Sequence, residues 1–168
     1  MDALAADDVI IEVASPSDDI ARAVLRAYTG EVASRWLGRL ATVDEVSAAL
    51  RHDPSDGLVA PYGVLLLARR AGTVVGCAGL RLLPDGVGEV KRLFVAPQAR
   101  GVGLGRRLML EVEAEARARR VHLLRLDTRA DLVEARGLYA ALGYVEVPAF
   151  NDSPYAEHWL ARKLHSVE

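Results

Sequence analysis

The chain has one cysteine, Cys77, in 168 residues, so no internal disulfide can form. That scarcity suits a reducing compartment, and a cytoplasmic location is the expectation. Cys77 lies in the apolar run Val74-Val75-Gly76-Cys77-Ala78 and reads as a small buried hydrophobe, not a nucleophile. Long hydrophobic stretches are missing too. The longest apolar run, Val64 to Ala68, is far short of the roughly 20 residues that cross a bilayer, so no membrane partner is expected. The N-terminus Met1-Asp2-Ala3-Leu4-Ala5-Ala6-Asp7-Asp8 has neither the basic nor the apolar segment of a secretory signal. There is no basic surplus: 21 Lys and Arg face 23 Asp and Glu, a net charge of -2, which argues against nucleic acid as partner. His52, His122, His158 and His165 are scattered, and no HExxH or CxxC pair exists, so no metal is expected. A GxSxG elbow is also lacking, which excludes the usual serine hydrolase arrangement.

Apolar residues are plentiful, at 51% of the chain. This length suits one domain over residues 1–168, with its core at about 9–164, burying roughly 70% of the surface that the unfolded chain exposes. Val9 to Val13 reads as a strand. Ser15 as N-cap and Pro16 at the first helical position open a helix carrying Ile20, Val24, Leu25 and Tyr28 inward, with Gly30 expected to bend it before Trp36. Thr42 and Glu45 form a capping box that starts a helix to about Leu50, and residues 52–57 are a loop. Three antiparallel strands follow at 62–69, 73–83 and 88–95, joined by tight turns. Leu104, Leu108, Val112 and Ala116 recur every four residues in an amphipathic helix over 102–119. A strand over 121–126 precedes a helix bearing Leu132, Ala135, Leu138, Tyr139 and Leu142, stopped by Gly143. Strands at 144–147 and about 158–164 close a mixed α/β chain whose sheet is covered by helices.

Chemistry concentrates after the third hairpin strand. The strand ends at Pro97, Gly101, Gly103 and Gly105 follow, and a helix begins. Glycines admit a ligand close to the main chain, and the first helical turn offers unpaired N–H groups and a positive dipole end. Arg100, Arg106 and Arg107 add charge, so the turn reads as a phosphate site. A dinucleotide fingerprint fails because Arg106 stands where the third glycine belongs, and no Lys-Ser or Lys-Thr pair completes a P-loop.

In this setting the sequence resembles the GNAT superfamily of N-acetyltransferases. Arg100-Gly101-Val102-Gly103-Leu104-Gly105 is similar to that family's R/Q-x-x-G-x-G/A signature, and Leu138-Tyr139-Ala140-Ala141-Leu142-Gly143-Tyr144 to its L-Y-x-x-x-G-F/Y pattern. The resemblance spans about residues 9–164, with 73–147 carrying most of its weight. It implies a GNAT-like fold: a mixed, mostly antiparallel central sheet of about six to seven strands, flanked by about four helices, with a splayed strand pair holding acyl-CoA. It further implies acetyl-CoA, or another acyl-CoA, as co-substrate. The pyrophosphate would rest on Arg100, Gly101, Val102, Gly103, Leu104, Gly105 and Arg106, and the pantetheine arm along Leu93, Phe94 and Val95.

The implied activity is acetyl transfer from acetyl-CoA to a primary amine, of a small molecule, by direct attack in a ternary complex. A non-catalytic acyl-CoA-binding sensor or regulatory module is the alternative. Tyr139 corresponds to the family's general acid, which protonates the leaving thiolate, and Glu89 to the base of some members; a water chain is the alternative base. The even spacing of Glu89 and Leu93 predicts that both face the same side of their strand. Many members carry an asparagine where this chain has Leu132, so that polar contact is not carried over. Tyr28, Trp36 and Asp152 are the acceptor candidates, beside Arg35, Arg39, Asn151, Ser153 and Tyr155. The acceptor's identity and the oligomeric state, a homodimer included, stay open.

Overall fold

The structure is a computed structural model that describes residues 8–165. The stretch read above for a secretory signal lies, up to Asp7, outside the described residues. Its elements run β1 (Val9–Ala14), α1 (Asp19–Leu37), α2 (Val43–His52), β2 (Gly63–Arg70), β3 (Thr73–Leu83), β4 (Val87–Val95), α3 (Leu104–Ala118), β5 (Leu123–Thr128), α4 (Val133–Ala141), β6 (Val145–Glu146) and β7 (His158–Lys163). The sheet has seven strands in the order β1-β2-β3-β4-β5-β7-β6, and only the β4–β5 pair is parallel. This is the mixed, mostly antiparallel sheet with four helices that the sequence implied.

β2 shows why the longest apolar run does not alternate with polar residues. Val64, Leu66 and Ala68 enter a core shared with α3 and α4, while Leu65 and Leu67 enter a second core beneath α1. A strand buried on both faces needs apolar residues at every position. On α3, Leu104, Leu108, Met109, Val112 and Ala116 form the buried stripe. Glu113 lies within it, its charge answered by Arg162 of β7 at 2.5 Å and Arg117 at 3.7 Å.

Two local expectations change. Ser15 does not cap α1. It accepts the Asp18 N–H in a turn, and Asp18 becomes the N-cap. The helix therefore starts later, and Ile20 is 49% exposed. Nor does Gly30 break α1, which runs on to Leu37 and ends at Gly38 with φ 68°. Gly30 instead faces α2, where an added Cβ would meet Val46 Cγ2 at 3.8 Å. The capping box does form: Thr42 accepts the Glu45 N–H and Glu45 accepts the Thr42 N–H.

The more consequential departure is in β4. Between the rungs Gly79↔Lys91 and Cys77↔Phe94, β4 places Arg92 and Leu93 opposite Ala78 alone. Arg92 takes up the extra residue at φ 58°, a β-bulge. The bulge inverts the strand's alternation. Val90 packs in the α3 core, and so do Leu93 and Val95, while Phe94 joins the α1 core. Glu89, next to Val90, thus faces the side opposite Leu93, and the even-spacing expectation fails because it assumed a regular strand.

Leu108 is fully buried where α3 crosses the sheet, and an added Cβ at Gly76 would approach it to 3.2 Å. Leu108→Ala should therefore cost about 2–5 kcal/mol, read from denaturant unfolding. A loss below about 1 kcal/mol would contradict the packing of α3 on the sheet.

Candidate functional site

The site begins where the parallel pair comes apart. β4 and β5 share only the rungs Val87↔Leu123, Gly88↔Leu124 and Glu89↔Arg125, and beyond Glu89 they have no common ladder. β4 stays bound to β3 on its other side as far as Val95. Its edge toward β5 therefore presents main-chain groups with no strand partner, the arrangement that accepts an extended amide-bearing ligand. Leu93 and Val95 are partly exposed along this edge, and Phe94 is buried behind it.

At the mouth of the fork stands the glycine turn. Gly101 and Gly103 have φ of 82° and 80°, which L side chains rarely adopt, and Gly103 serves as N-cap of α3. Among the described residues a Cβ at either would meet nothing within 4 Å, so the space above the turn is open to them. No side chain among the described residues caps α3, and the first helical bond from this turn is Arg107 N–H to the Gly103 carbonyl. The N–H groups of the first turn, through Leu104, Gly105 and Arg106, are thus available to an anion. Gly105 also permits close approach of α4, since a Cβ there would lie 3.2 Å from Leu138 Cδ2. Val102 is partly buried beside the turn.

The three arginines differ in use. Arg106 is exposed, with no partner among the described residues. Arg107 reaches away to the Val9 carbonyl of β1 at 3.0 Å. Arg100 is engaged within the protein, its Nε donating to the Val95 carbonyl at 2.8 Å and its Nη2 to Glu31 at 2.6 and 2.7 Å.

Tyr139 sits on α4 in the α3-side core, its ring 5.9 Å from that of Tyr144. Burial raises its pKa, and the charges of Tyr28, Tyr144 and Asp127 raise it further. Tyr28 comes from α1 on the opposite side of the sheet, edge-on to Phe94 at 6.3 Å. The two phenols thus come from helices on opposite faces of the sheet. Burial raises the Tyr28 pKa too, opposed by the Arg92 guanidinium that lies 5.8 Å from its ring centre. Arg92 also donates to the Asp53 carboxylate at 2.9 Å, the Asp53 carbonyl at 2.7 Å and Ser55 Oγ at 3.0 Å. Its own carbonyl accepts the Cys77 thiol, whose pKa burial pushes up to about 12. Cys77 is the inert buried residue that its surroundings in the sequence suggested.

On the α1 side of the fork, Glu89 and Lys91 of β4 share a face with Arg125 and Asp127 of β5, opposite Val90, Leu124 and Leu126. Glu89 is buried between cations, with Lys91 Nζ at 2.9 Å and Arg125 Nε at 3.5 Å. The segment before β7 covers this face. Phe150 stacks on Arg125 at 4.2 Å, and Asn151 Nδ2 donates to Asp127 Oδ2 at 2.7 Å. Asn151 Oδ1 accepts the Trp159 indole N–H at 3.0 Å, which fixes its orientation. Asp127 was not among the sequence candidates. The available signal was alternation: Arg125 and Asp127 are polar at every second position of an interior strand, and such a face needs a cleft or partners.

Trp36 packs edge-on against Tyr155 at 5.2 Å and covers the buried Arg129 guanidinium at 5.3 Å, bridging α1 to the loop before β7. Asp152 is exposed in that loop. Arg35 and Arg39 are not free to hold a carboxylate. Arg35 binds the Asp131 carbonyl at 2.7 Å and approaches Glu134 at 3.5 Å, and Arg39 binds Glu45 at 2.9 and 2.7 Å.

Residues 23–144 match the family model described as the Acetyltransferase (GNAT) family. An IAA acetyltransferase of Azospirillum brasilense is 44% identical over 91 residues, covering 54% of this chain and 58% of that protein. The chain thus spans less than two thirds of the length of the curated relatives it matches, at 58% and 59% for two of them. Among solved structures, a provisionally assigned acyl-CoA N-acyltransferase from Klebsiella pneumoniae superposes with a TM-score of 0.72 at 28% identity, covering 94% of this chain and 98% of that one. A PaiA N-acetyltransferase from Thermoplasma acidophilum, solved with coenzyme A, has a TM-score of 0.70 over 92% of this chain and 99% of that one. Its 18% identity makes that a likeness of fold.

Burial raises the pKa of Tyr28, Tyr139 and Tyr144 above the ordinary tyrosine value of 10.0. The unfolded chain therefore loses these protons first as pH rises, and the stability they contribute is complete below about pH 10 and lost above it. The melting temperature should fall above about pH 10, with tyrosinate absorbance growing as the protein unfolds. An unchanged melting temperature to about pH 12 would contradict the burial of these phenols.

Proposed function

The chain belongs to the acetyltransferase (GNAT) family, and from that premise we propose that it transfers an acetyl group from acetyl-CoA to the primary amine of a small molecule, by direct attack in a ternary complex. The observation that carries this reading is the fork: β4 and β5 part after Glu89↔Arg125, the unobstructed glycine turn stands at one end, and the Tyr139 phenol comes from the α4 side. The pieces suit one ligand. An extended amide arm can pair with the free edge of β4, and a diphosphate can sit on the N–H groups from Gly103 to Arg106. Acetyl-CoA supplies the thioester that the amine attacks.

The proton steps fall to the protein. An alkylammonium of pKa near 10.4 is neutral in only about one molecule in a few thousand at pH 7, so a base must accept its proton. Glu89 holds two cations where the strands part, and its carboxylate is occupied. Asp127 is two residues beyond the last rung, on the same face, and is electrostatically linked to Tyr139. Asn151 takes its Oδ2, and Oδ1 has no hydrogen-bond partner among the described residues. We assign Asp127 the amine proton and Glu89 the upkeep of the fork. Tyr139, held protonated, gives its proton to the departing thiolate as the C–S bond breaks, and the phenolate regains a proton that the amine passes by way of Asp127.

Acidic groups at Asp127 and the exposed Asp152 favour a cationic acceptor, and the Trp36–Tyr155 bridge narrows its approach. Tyr28 lines the opposite wall. These features fit a small amine better than a bulky one.

Release of free thiol from acetyl-CoA across a panel of small primary amines tests the activity. Tyr139→Phe should lower kcat about tenfold or more while the Kd for CoA stays within about twofold; unchanged turnover refutes the acid role. Asp127→Asn should cut kcat/KM about a hundredfold while the Kd for CoA stays within about twofold. If Glu89→Gln does this and Asp127→Asn does not, the two carboxylates exchange roles.

A further inference from the structure

The donor turn contains an ion pair that the reading above leaves unexplained. Arg100 Nη2 lies 2.6 and 2.7 Å from the two oxygens of Glu31, which belongs to α1, while its Nε donates to the Val95 carbonyl at 2.8 Å. The direction of that carbonyl matters. Ala96 N–H donates to the Val75 carbonyl at 2.8 Å across the Gly76↔Val95 rung. In an antiparallel ladder this makes Gly76↔Val95 a non-hydrogen-bonded pair, so the N–H and C=O of Val95 point away from β3, into the fork. The guanidinium thus occupies the last carbonyl of the open edge, beside the turn that offers its N–H groups to a diphosphate. The pair is partly exposed, with side chains 44% and 30% accessible, and such pairs exchange partners at little cost.

We propose that Glu31 sets the affinity for the donor by competing with the diphosphate of acyl-CoA for Arg100. Glu31 holds the guanidinium against Val95. An arriving diphosphate offers a stronger, doubly charged acceptor, and the guanidinium turns to it, clearing the Val95 carbonyl for the donor's amide arm. Neutralising Glu31 frees Arg100 for the diphosphate. This inference rests on the reading that CoA lodges at this turn. Glu134 provides the control, since it lies within the field of Arg100 but its hydrogen bond is to Arg35.

Calorimetric titration of the whole chain with coenzyme A decides the matter, with thermal melts confirming that each variant folds. Glu31→Gln should tighten the Kd about threefold to tenfold, Arg100→Ala should weaken it, and Glu134→Gln should stay within about twofold. In the Arg100→Ala background the Glu31→Gln effect should shrink to within about twofold. A Glu31→Gln variant that binds no tighter than wild type overturns the competition. So does tightening that survives in the Arg100→Ala background, or that Glu134→Gln matches, because a bare field would then suffice. A wild-type chain that binds no CoA defeats the underlying reading as well, and that result is distinct from a binding wild type that Glu31→Gln leaves unchanged.

Discussion

Backbone groups that have lost their strand partner are the constraint on which this molecule turns. A β-sheet is stable because each strand satisfies its neighbours' N–H and C=O groups, and an interior strand that leaves one side unsatisfied gives up that stabilisation. β4 does so along its second half, after three rungs with β5. The sheet tolerates the opening because both sides of the fork are anchored elsewhere. β4 is bound to β3 and packed on two cores, and β5 is bound along its whole length to β7, from Leu123↔Lys163 to Thr128↔His158. A gap kept open by rigid neighbours can receive a ligand without first being unfolded, which is the preorganisation that binding requires.

The bulge at Arg92 gives the fork its two chemically different walls. By shifting the alternation of β4 by one residue, it presents Leu93 and Val95 to the α3 side and leaves Glu89 and Lys91 on the α1 side. One side then carries the glycine turn and Tyr139, and the other carries the carboxylates and the loop before β7. Holding an arginine at positive φ and burying its guanidinium would both be costly in isolation. Asp53, Ser55 and the ring of Tyr28 meet that guanidinium, so the strained residue also fastens the loop after α2 and α1 itself to β4. Burial would raise the Asp53 pKa, but its hydrogen bond and charge pairing with Arg92 outweigh this and hold it below the usual carboxylate range.

Most of the fold was legible because its signals are local. Hairpin turns, the Thr42–Glu45 box, the four-residue spacing on α3 and the glycine turn each depend on a few adjacent residues, and the structure contains them all. Features set by distant residues were not legible. The Asn151 amide that orients Asp127 is 24 positions away, and Glu31 is 69 positions from Arg100. The facing of Glu89 was misread for a related reason. Alternation along a strand is counted from sequence as if the strand were regular, and nothing in Lys91-Arg92-Leu93 marks a bulge. The N-cap of α1 was misplaced more simply, since Ser15-Pro16-Ser17-Asp18 holds three residues of capping type and the helix starts after the last of them.

The position of coenzyme A is the decisive observation. A crystal structure of the chain with coenzyme A should show the diphosphate accepting hydrogen bonds from the N–H groups between Gly103 and Arg106, the pantetheine amides paired with β4 near Val95, and the sulfur directed at the Tyr139 hydroxyl. A diphosphate bound away from this turn, or a pantetheine arm that leaves the β4 edge unpaired, would contradict the proposed function.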